Sequence, residues 1–165
     1  MLLTSFTGPN KTGKKIFKIL KKDQIEKLER YYIEKEELVS LVNGMEPKPS
    51  EEQVNRVMEN YDSGKGSYLQ SFAENFSDVD WNHAKLDSIT YDYVIGKPGK
   101  DEKIPWPNSK NFNTESTDKL KTNVSMYIND SKDGYIIEFE LLNYNGEWKL
   151  FNMLKRPNIQ KINKS

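Results

Sequence analysis

The sequence predicts a single α+β domain in which N-terminal helices pack on a roughly four-stranded antiparallel sheet. Up to about residue 76, apolar residues recur at three- and four-residue spacing, which is the period of amphipathic helices. After Trp81, apolar and polar residues alternate over several short segments, which is the period of strands. The length of 165 residues fits one domain.

The first helical segment runs from Lys14 to about Tyr32. Its apolar stripe consists of Ile16, Phe17, Leu20, Ile25, Leu28, Tyr31 and Tyr32. Asp23 interrupts the stripe and could restart the helix as an N-cap, so two shorter pieces are an alternative. Residues 1–13 are predicted to be a flexible N-terminus or the remnant of a processed leader.

Two more helices follow before the pattern changes. A short helix is predicted from Glu34 to Val42, because Asn43-Gly44 supplies a stop signal. A third helix begins at Ser50, with Gln53 at the capping-box position. Two glycines in "DSGKGS" predict a break in this helix, since each costs about 1 kcal/mol in a helix interior.

Four strands are predicted after Trp81. The segment 85–96 alternates, and Ile89, Tyr91, Tyr93 and Ile95 point to one side of it. Residues 122–130 alternate again, and a turn at Asp133-Gly134 precedes a hairpin closed by Asn145-Gly146, the strongest local hairpin signal.

The hairpin places one asparagine on an apolar face. If Asn145-Gly146 forms a two-residue type I′ turn, Tyr144 pairs with Glu147. Counting outward then puts Asn152 opposite Phe139, on the side of Trp148 and Leu150. Burying an unpaired amide costs roughly 1–3 kcal/mol, so Asn152 needs either a partner within the fold or a ligand.

The other face of the hairpin is mixed. Glu138 and Glu140 point to water, while Ile136, Phe151 and Met153 form a partial apolar strip. Such a face is normal for an antiparallel sheet. It also suits self-association, so a homodimer through the sheet stays open as an alternative.

A long polar connection of residues 96–119 joins the first two strands and contains Trp106 between Pro105 and Pro107. Connections of this length are often binding loops or disordered. Trp106 could close over a cavity as part of a lid, or it could pin a surface loop to the core. The tail from residue 157 to 165 is polar and is predicted to lie outside the domain.

Charge and composition exclude several classes of function. Acidic and basic residues balance at 25 each, so the net charge gives no electrostatic case for nucleic acid. The basic run 11–22 suits either an anionic partner or a solvated helix face, and the acidic residues that follow favour the solvated face. There is no cysteine, which removes thiol catalysis and disulfides, and no apolar run approaches the roughly 20 residues of a membrane span.

Candidate catalytic groups are few. His83 lies near Asp78, Asp80 and Asp87 in sequence, which suits a metal site or a general base, but a lone exposed histidine is the favoured interpretation. Neither a phosphate-binding glycine loop nor a Gly-x-Ser-x-Gly element occurs. We therefore predict no metal, no cofactor and no catalytic residue.

Two stretches carry a family resemblance. The "NGEWKL" of the hairpin is similar to the G-x-W-K-[LIV] that opens the last strand in small exported proteins with nuclear transport factor 2-like domains, in the cystatin-like superfamily. "LERYYIEKEELVSLV" is similar to a "YYPTKEEL"-type helical segment of uncharacterised bacterial members. The resemblance spans residues 14–156 and implies a strongly bent sheet that wraps the helices as a cone, with a cavity at its mouth. It also implies a bacterial protein in the periplasm or outside the cell, although a cytoplasmic location stays open.

We expect a non-enzymatic module that binds a small molecule or a protein segment in the cavity between the helices and the sheet. The alternatives are a small cavity enzyme of isomerase or dehydratase type, and a partner that self-associates through the outer sheet face. The candidate ligand-binding residues are Asn152, Tyr91, Tyr93, Trp106 and Phe139.

Overall fold

The computed structural model describes residues 8–44, 48–94 and 121–153. In order, the elements are α1 (Pro9–Lys21), a 3-10 helix (Ile25–Tyr31), α2 (Lys35–Asn43), α3 (Glu51–Asn75), β1 (Lys85–Val94), β2 (Lys121–Asn129), β3 (Gly134–Tyr144) and β4 (Glu147–Met153). The strands form one sheet in the order of the chain, with each strand antiparallel to the next. The predicted α+β class, with helices before a four-stranded antiparallel sheet, is confirmed.

α1 begins at Pro9, five residues before the predicted start. Proline suits the first helical position because it has no N–H that would go unsatisfied there. Thr12 and Gly13 are buried, and the hydroxyl of Thr12 donates a hydrogen bond to the Trp148 carbonyl at 3.3 Å. The packing against β4 therefore extends the helix into the segment that the sequence predicted to be flexible.

α1 ends at Lys21 and is closed by a Schellman motif that includes Asp23. Asp23 has a left-handed backbone with a φ of 51°, and its N–H bonds to the Leu20 carbonyl at 3.0 Å. The Gln24 N–H bonds to the Ile19 carbonyl at 3.1 Å, which completes the motif. Asp23 thus stops α1 and does not cap a new α-helix, so the proposed N-cap is wrong. The next segment is a 3-10 helix.

α3 starts as predicted but does not break. Ser50 and Gln53 form a reciprocal capping box, in which Ser50 N–H bonds to Gln53 Oε1 at 2.8 Å and Gln53 N–H bonds to Ser50 Oγ at 3.3 Å. The helix continues through Gly64 to Asn75, so the predicted break is wrong. The two glycines cost about 2 kcal/mol together, and burial of Val57 and Phe76 on the two cores described below offsets this cost.

The main core fills one face of the sheet. α1 and the 3-10 helix pack here against the predicted apolar face of β2, β3 and β4. Its fully buried members include Ile16, Leu20, Leu28, Val124, Met126, Ile128, Tyr135, Ile137, Phe139, Leu141 and Leu150.

A second core lies on the other face, at the β3–β4 end. Leu142, which alternates with Leu141, packs with Ile33, Leu38, Val42 and Val57 from the segment before α2, from α2 and from α3. Phe151 is half-buried against the same cluster. Helices therefore contribute to both faces, and Phe151 is not part of a wholly uncovered outer strip.

The hairpin turn is confirmed, but the register changes within the hairpin. Asn145 and Gly146 have φ values of 51° and 86°, as a type I′ turn requires, and the pairs from Tyr144–Glu147 to Leu141–Leu150 match the prediction. Beyond Leu150, β4 contains one extra residue, so Asn152 pairs with Glu140 and Met153 pairs with Phe139. The predicted pairing of Asn152 with Phe139 is wrong. The bulge accommodates Phe151 in the second core while Leu150 stays in the main core.

Candidate functional site

A surface groove of about 680 Å³ lies between the end of α1 and the connection from α3 to β1. Its floor is apolar and consists of Leu20, Phe76 and Val79, all of which are buried members of the main core. The groove therefore opens directly onto the interface between the helices and the sheet. Its volume falls within the roughly 300–1,000 Å³ of small-molecule sites.

The rim of the groove is polar and carries both signs of charge. Lys21, Lys22 and Asp23 contribute from the end of α1, and Asp80 contributes from the opposite side. The remaining lining residues, all of them uncharged, are Gln24, Ile25, Ser77, Trp81 and Asn82. The groove thus combines five apolar with seven polar or charged lining residues. Its exposed apolar surface comes from Ile25 and Trp81, because the three floor residues are at most 5% exposed.

Several contacts fix the walls of the groove. Lys21 Nζ donates to the Ala84 carbonyl at 2.6 Å and thereby ties α1 to the start of β1. The rings of Phe76 and Trp81 meet edge to face, with their centroids 6.2 Å apart. Backbone hydrogen bonds form consecutive turns between Phe76 and Ala84, such as the one from Trp81 N–H to the Val79 carbonyl at 2.9 Å. These contacts fix the positions of the segments on the two sides of the groove.

Asp130 anchors the connection that carries the groove. It lies in the turn between β2 and β3 and is 6% exposed. Its Oδ1 accepts the N–H groups of Lys132 and Asp133, each at 2.7 Å, and its Oδ2 accepts the N–H of Asp80 at 3.0 Å. One carboxylate therefore orders its own turn and fixes Asp80 at the groove rim.

These contacts shift two pKa values. Burial raises the pKa of Asp130, but the hydrogen bonds from Asp133, Lys132 and Asp80 outweigh burial and lower this pKa to about 2. Burial, followed by the nearby charge of Asp130, raises the pKa of Tyr135 to about 12. At neutral pH, Asp130 is therefore ionised and Tyr135 is protonated, with the tyrosine hydroxyl 3.3 Å from the Asp78 carbonyl.

His83 and Ser131 both contact Asp80. The Nδ1 of His83 lies 2.7 Å from Asp80 Oδ2, and the Ser131 hydroxyl donates to the same oxygen at 3.4 Å. The hydrogen bond with His83 lowers the pKa of Asp80 below its ordinary value of 3.8. Nucleophilic catalysis requires the serine to contact the imidazole, but here it contacts the carboxylate. The three residues are therefore a hydrogen-bonded cluster without the order of a catalytic triad.

Metal-ligating side chains do not converge in the described residues. In these ranges, no group of three or more histidine, aspartate or glutamate side chains is placed to hold a metal ion. Asp78 and Asp87, the other carboxylates near His83 in sequence, are not part of its hydrogen-bonded cluster with Asp80 and Ser131. The described residues around His83 therefore provide no set of ligands for the metal site that the sequence left open as an alternative.

The candidate residues from the sequence fall in different places. Phe139 is 1% exposed within the main core, and Tyr91 is 39% exposed on β1. The two belong to one row across the sheet, since Tyr91 pairs with Val124 and Val124 pairs with Phe139. Tyr93 pairs with Thr122 two rows away, but its side chain lies outside the described residues, as does Trp106. Of the candidates whose side chains the structure describes, Asn152, Tyr91 and Phe139 do not line the groove.

Asn152 has an unusual environment. Directly paired residues share a face of the sheet, so Asn152 lies on the face of Glu140 rather than that of Phe139. Its Oδ1 is shielded from solvent and accepts no hydrogen bond from any residue that the structure describes. The same row contains Asp92 on β1 and Asn123 on β2.

Replacing Asn152 with leucine is expected to raise the free energy of unfolding by about 1 kcal/mol. The substitution removes a buried acceptor without a partner, which costs about 1–3 kcal/mol, and keeps the branched shape of the side chain. Urea unfolding followed by circular dichroism measures the change. The matched control is Asn123→Leu, on the exposed position of the same row, for which we expect a change below about 0.5 kcal/mol. A lower stability of Asn152→Leu would show that the carboxamide has a stabilising role.

Comparison with known proteins yields little. No protein-family model matches the chain, and no curated protein matches it either. Among solved structures, the chain is similar to a cystatin-like protein from Ruminococcus gnavus ATCC 29149, with a TM-score of 0.45 and 13% sequence identity. The match covers 91% of this chain but 43% of that protein, so the chain spans less than half of its length. A similarity of this degree carries no functional argument.

No helix in the described ranges has both the length and the apolar character that crossing a bilayer requires.

Proposed function

We propose that the chain is a non-enzymatic binding module that holds a small amphipathic molecule in the groove between α1 and the α3–β1 connection. The observation that carries the proposal is the combination of volume and lining. A groove of about 680 Å³ has a floor of Leu20, Phe76 and Val79 and a rim with both signs of charge. An apolar body would contact the half-buried Ile25 and Trp81, and its polar end would face Lys22, Asp23 or Asp80.

Two observations support this function over an isomerase- or dehydratase-like enzyme. A general acid or base works best with a pKa near the operating pH. The shifted groups next to the groove move away from neutrality instead, since the pKa values of Asp80 and Asp130 are lowered and that of Tyr135 is raised. In addition, Phe139, which the sequence placed in a cavity, is a buried member of the main core.

The second core weighs against self-association through the outer face. Phe151 was part of the apolar strip that suggested a dimer, and it packs against the cluster formed with α2 and α3. Lys149 on the same face is paired with Glu37 of α2 at 2.6 Å. Intramolecular contacts thus account for much of the surface that a partner would have used.

The test uses the dye 1-anilinonaphthalene-8-sulfonate, which has an apolar ring system and one anionic group. The full chain is titrated with the dye and fluorescence gives the Kd. Ser77→Trp should weaken binding at least about tenfold, because Ser77 is an exposed lining residue and a large side chain there occupies the groove without removing a core contact.

The matched control is Ser40→Trp, which places the same side chain on an exposed position of α2. We expect its dye affinity to stay within about twofold of the parent chain. Thermal unfolding checks that both variants are folded, because a loosened core would also bind the dye. Equal affinity in the Ser77→Trp and Ser40→Trp variants, or no dye binding by the parent chain, would reject the groove as the site.

A further inference from the structure

α1 presents an array of lysines along one side. Its lysines, together with the one at its C-terminal cap, are Lys11, Lys14, Lys15, Lys18, Lys21 and Lys22, all of them exposed, and the helix contains no acidic residue. At about 100° and 1.5 Å per residue, they fall within an arc of about 120° that extends about 17 Å along the axis. We call this surface the basic stripe.

The basic stripe is not neutralised by the acidic residues that follow it in sequence. Glu29 and Glu34 lie 3.8 Å and 4.0 Å from Lys65, and Glu37 pairs with Lys149 at 2.6 Å. Among the described residues, no ion pair involves a lysine of the stripe. The equal numbers of acidic and basic residues in the sequence therefore do not neutralise the basic stripe.

Contacts on the opposite side of α1 fix the position of the basic stripe. The opposite side of α1 is buried in the main core through Ile16, Phe17 and Leu20, and Thr12 is hydrogen-bonded to β4. α1 therefore cannot turn an apolar face outward while the domain stays folded. Any partner of this surface must be held by charge, and its binding must weaken as salt is added.

We infer that the basic stripe docks the protein on the surface of an anionic phospholipid bilayer. Several basic side chains along one face of an amphipathic helix are typical of contact with acidic lipid headgroups. All of the cations are lysines, which act as point charges and lack the planar fork with which arginine recognises a defined pair of acceptors. The aromatic residue of α1 is Phe17, which is 9% exposed, so the helix offers no aromatic platform for stacking bases.

The test is sedimentation of the full chain with sucrose-loaded vesicles. We expect binding to phosphatidylcholine vesicles that contain about 30% phosphatidylserine and no binding to pure phosphatidylcholine vesicles. Raising the salt from about 0.05 M to 0.5 M should abolish binding, because salt screens the attraction between the lysines and the lipid headgroups. These comparisons of vesicle composition and salt use the parent chain alone, so they do not depend on whether a variant folds.

The variant Lys14→Gln/Lys18→Gln should partition about 25-fold more weakly, since each lysine near an anionic surface contributes about fivefold. The control Lys48→Gln/Lys132→Gln changes the net charge equally at two exposed lysines outside α1 and should stay within about twofold of the parent chain. Neither Lys14 nor Lys18 lines the groove, so binding of the dye in the previous test should be unchanged.

Three results would overturn the inference. The parent chain could fail to sediment with phosphatidylserine vesicles at low salt. The stripe variant could bind as well as the parent while circular dichroism shows both to be folded. Finally, a DNA duplex of about 20 base pairs could bind more tightly than the vesicles with the same loss in the stripe variant, which would make nucleic acid the partner.

Discussion

Replacing Asp130 with alanine is expected to lower the free energy of unfolding by about 3 kcal/mol. The substitution leaves the backbone N–H groups of Asp80, Lys132 and Asp133 without their acceptor, in a region where the carboxylate is 6% exposed. Unpaired donors at buried positions cost about 1–3 kcal/mol each, and access to water at the turn reduces the sum. Urea unfolding measures the loss.

Asp130→Asn is the graded control. Its carboxamide oxygen can still accept the N–H groups of Lys132 and Asp133, so we expect it to lose about half as much stability as the alanine variant. Ser131→Ala, at the neighbouring exposed position, should change stability by less than about 0.5 kcal/mol. If Asp130→Ala unfolds at the same urea concentration as Ser131→Ala, the proposed role of the carboxylate is wrong.

The same carboxylate predicts a dependence of stability on pH. The pKa of Asp130 falls from its ordinary value of 3.8 to about 2 in the folded chain. A lowered pKa stabilises the fold above the unfolded pKa, and this contribution is lost as the pH falls from about 4 to about 2. It amounts to about 2 kcal/mol. The difference in stability between the parent chain and Asp130→Asn should therefore shrink across this range and be constant above it.

Replacing Glu140 with glutamine is expected to cost about 2 kcal/mol. Glu140 Oε1 lies 2.7 Å from Lys121 Nζ, and their side chains are 19% and 11% exposed. Removing one partner leaves a largely buried ammonium without its counter-charge, which costs about 3–5 kcal/mol at fully buried sites and less here. Chemical unfolding at neutral pH measures the change.

The controls separate the ion pair from the loss of one charge. Glu147→Gln removes a carboxylate that is 72% exposed and 3.8 Å from Lys149, so we expect a change below about 0.5 kcal/mol. The double variant Lys121→Met/Glu140→Leu should recover most of the stability, because apolar side chains of similar volume replace both charges. A double variant less stable than Glu140→Gln would contradict this explanation.

Local signals predicted those parts of the fold that local interactions determine. The turn Asn145-Gly146 requires positive φ values, which asparagine and glycine tolerate, and so it set the register of the nearest pairs. The capping box of Ser50 and Gln53 is likewise a contact within one helical turn. These features depend on residues close together in the chain, and the sequence pattern therefore predicts them.

The wrong predictions concern features that tertiary packing determines. Asn152 was misplaced because Phe151 enters the second core and forces a bulge, and that core is built by Leu38 and Val57, far away in sequence. Gly64 did not break α3, because burial compensates for its helix propensity. In both cases the local pattern is intact, but contacts between residues about 90 or more positions apart, or along a whole helix, outweigh it.

The groove could not be predicted from the sequence. It joins the end of α1 to the connection after α3, and neither segment contains a recognisable motif. Asp23 gave the one available signal, since a break in the apolar stripe marks where α1 ends. The position of that end against Phe76 and Trp81 depends on how the helices pack on the sheet.

The central claim is that the groove is the binding site, and fluorine NMR of 5-fluorotryptophan protein tests it most directly. The chain has three tryptophans, and substitution of each by phenylalanine assigns the resonances. Trp81 lines the groove, whereas Trp148 is buried in the main core. On titration with 1-anilinonaphthalene-8-sulfonate, we predict that the Trp81 resonance shifts with saturation while the Trp148 resonance stays in place. A Trp81 resonance that does not move at saturating dye, while the dye binds, would contradict the claim.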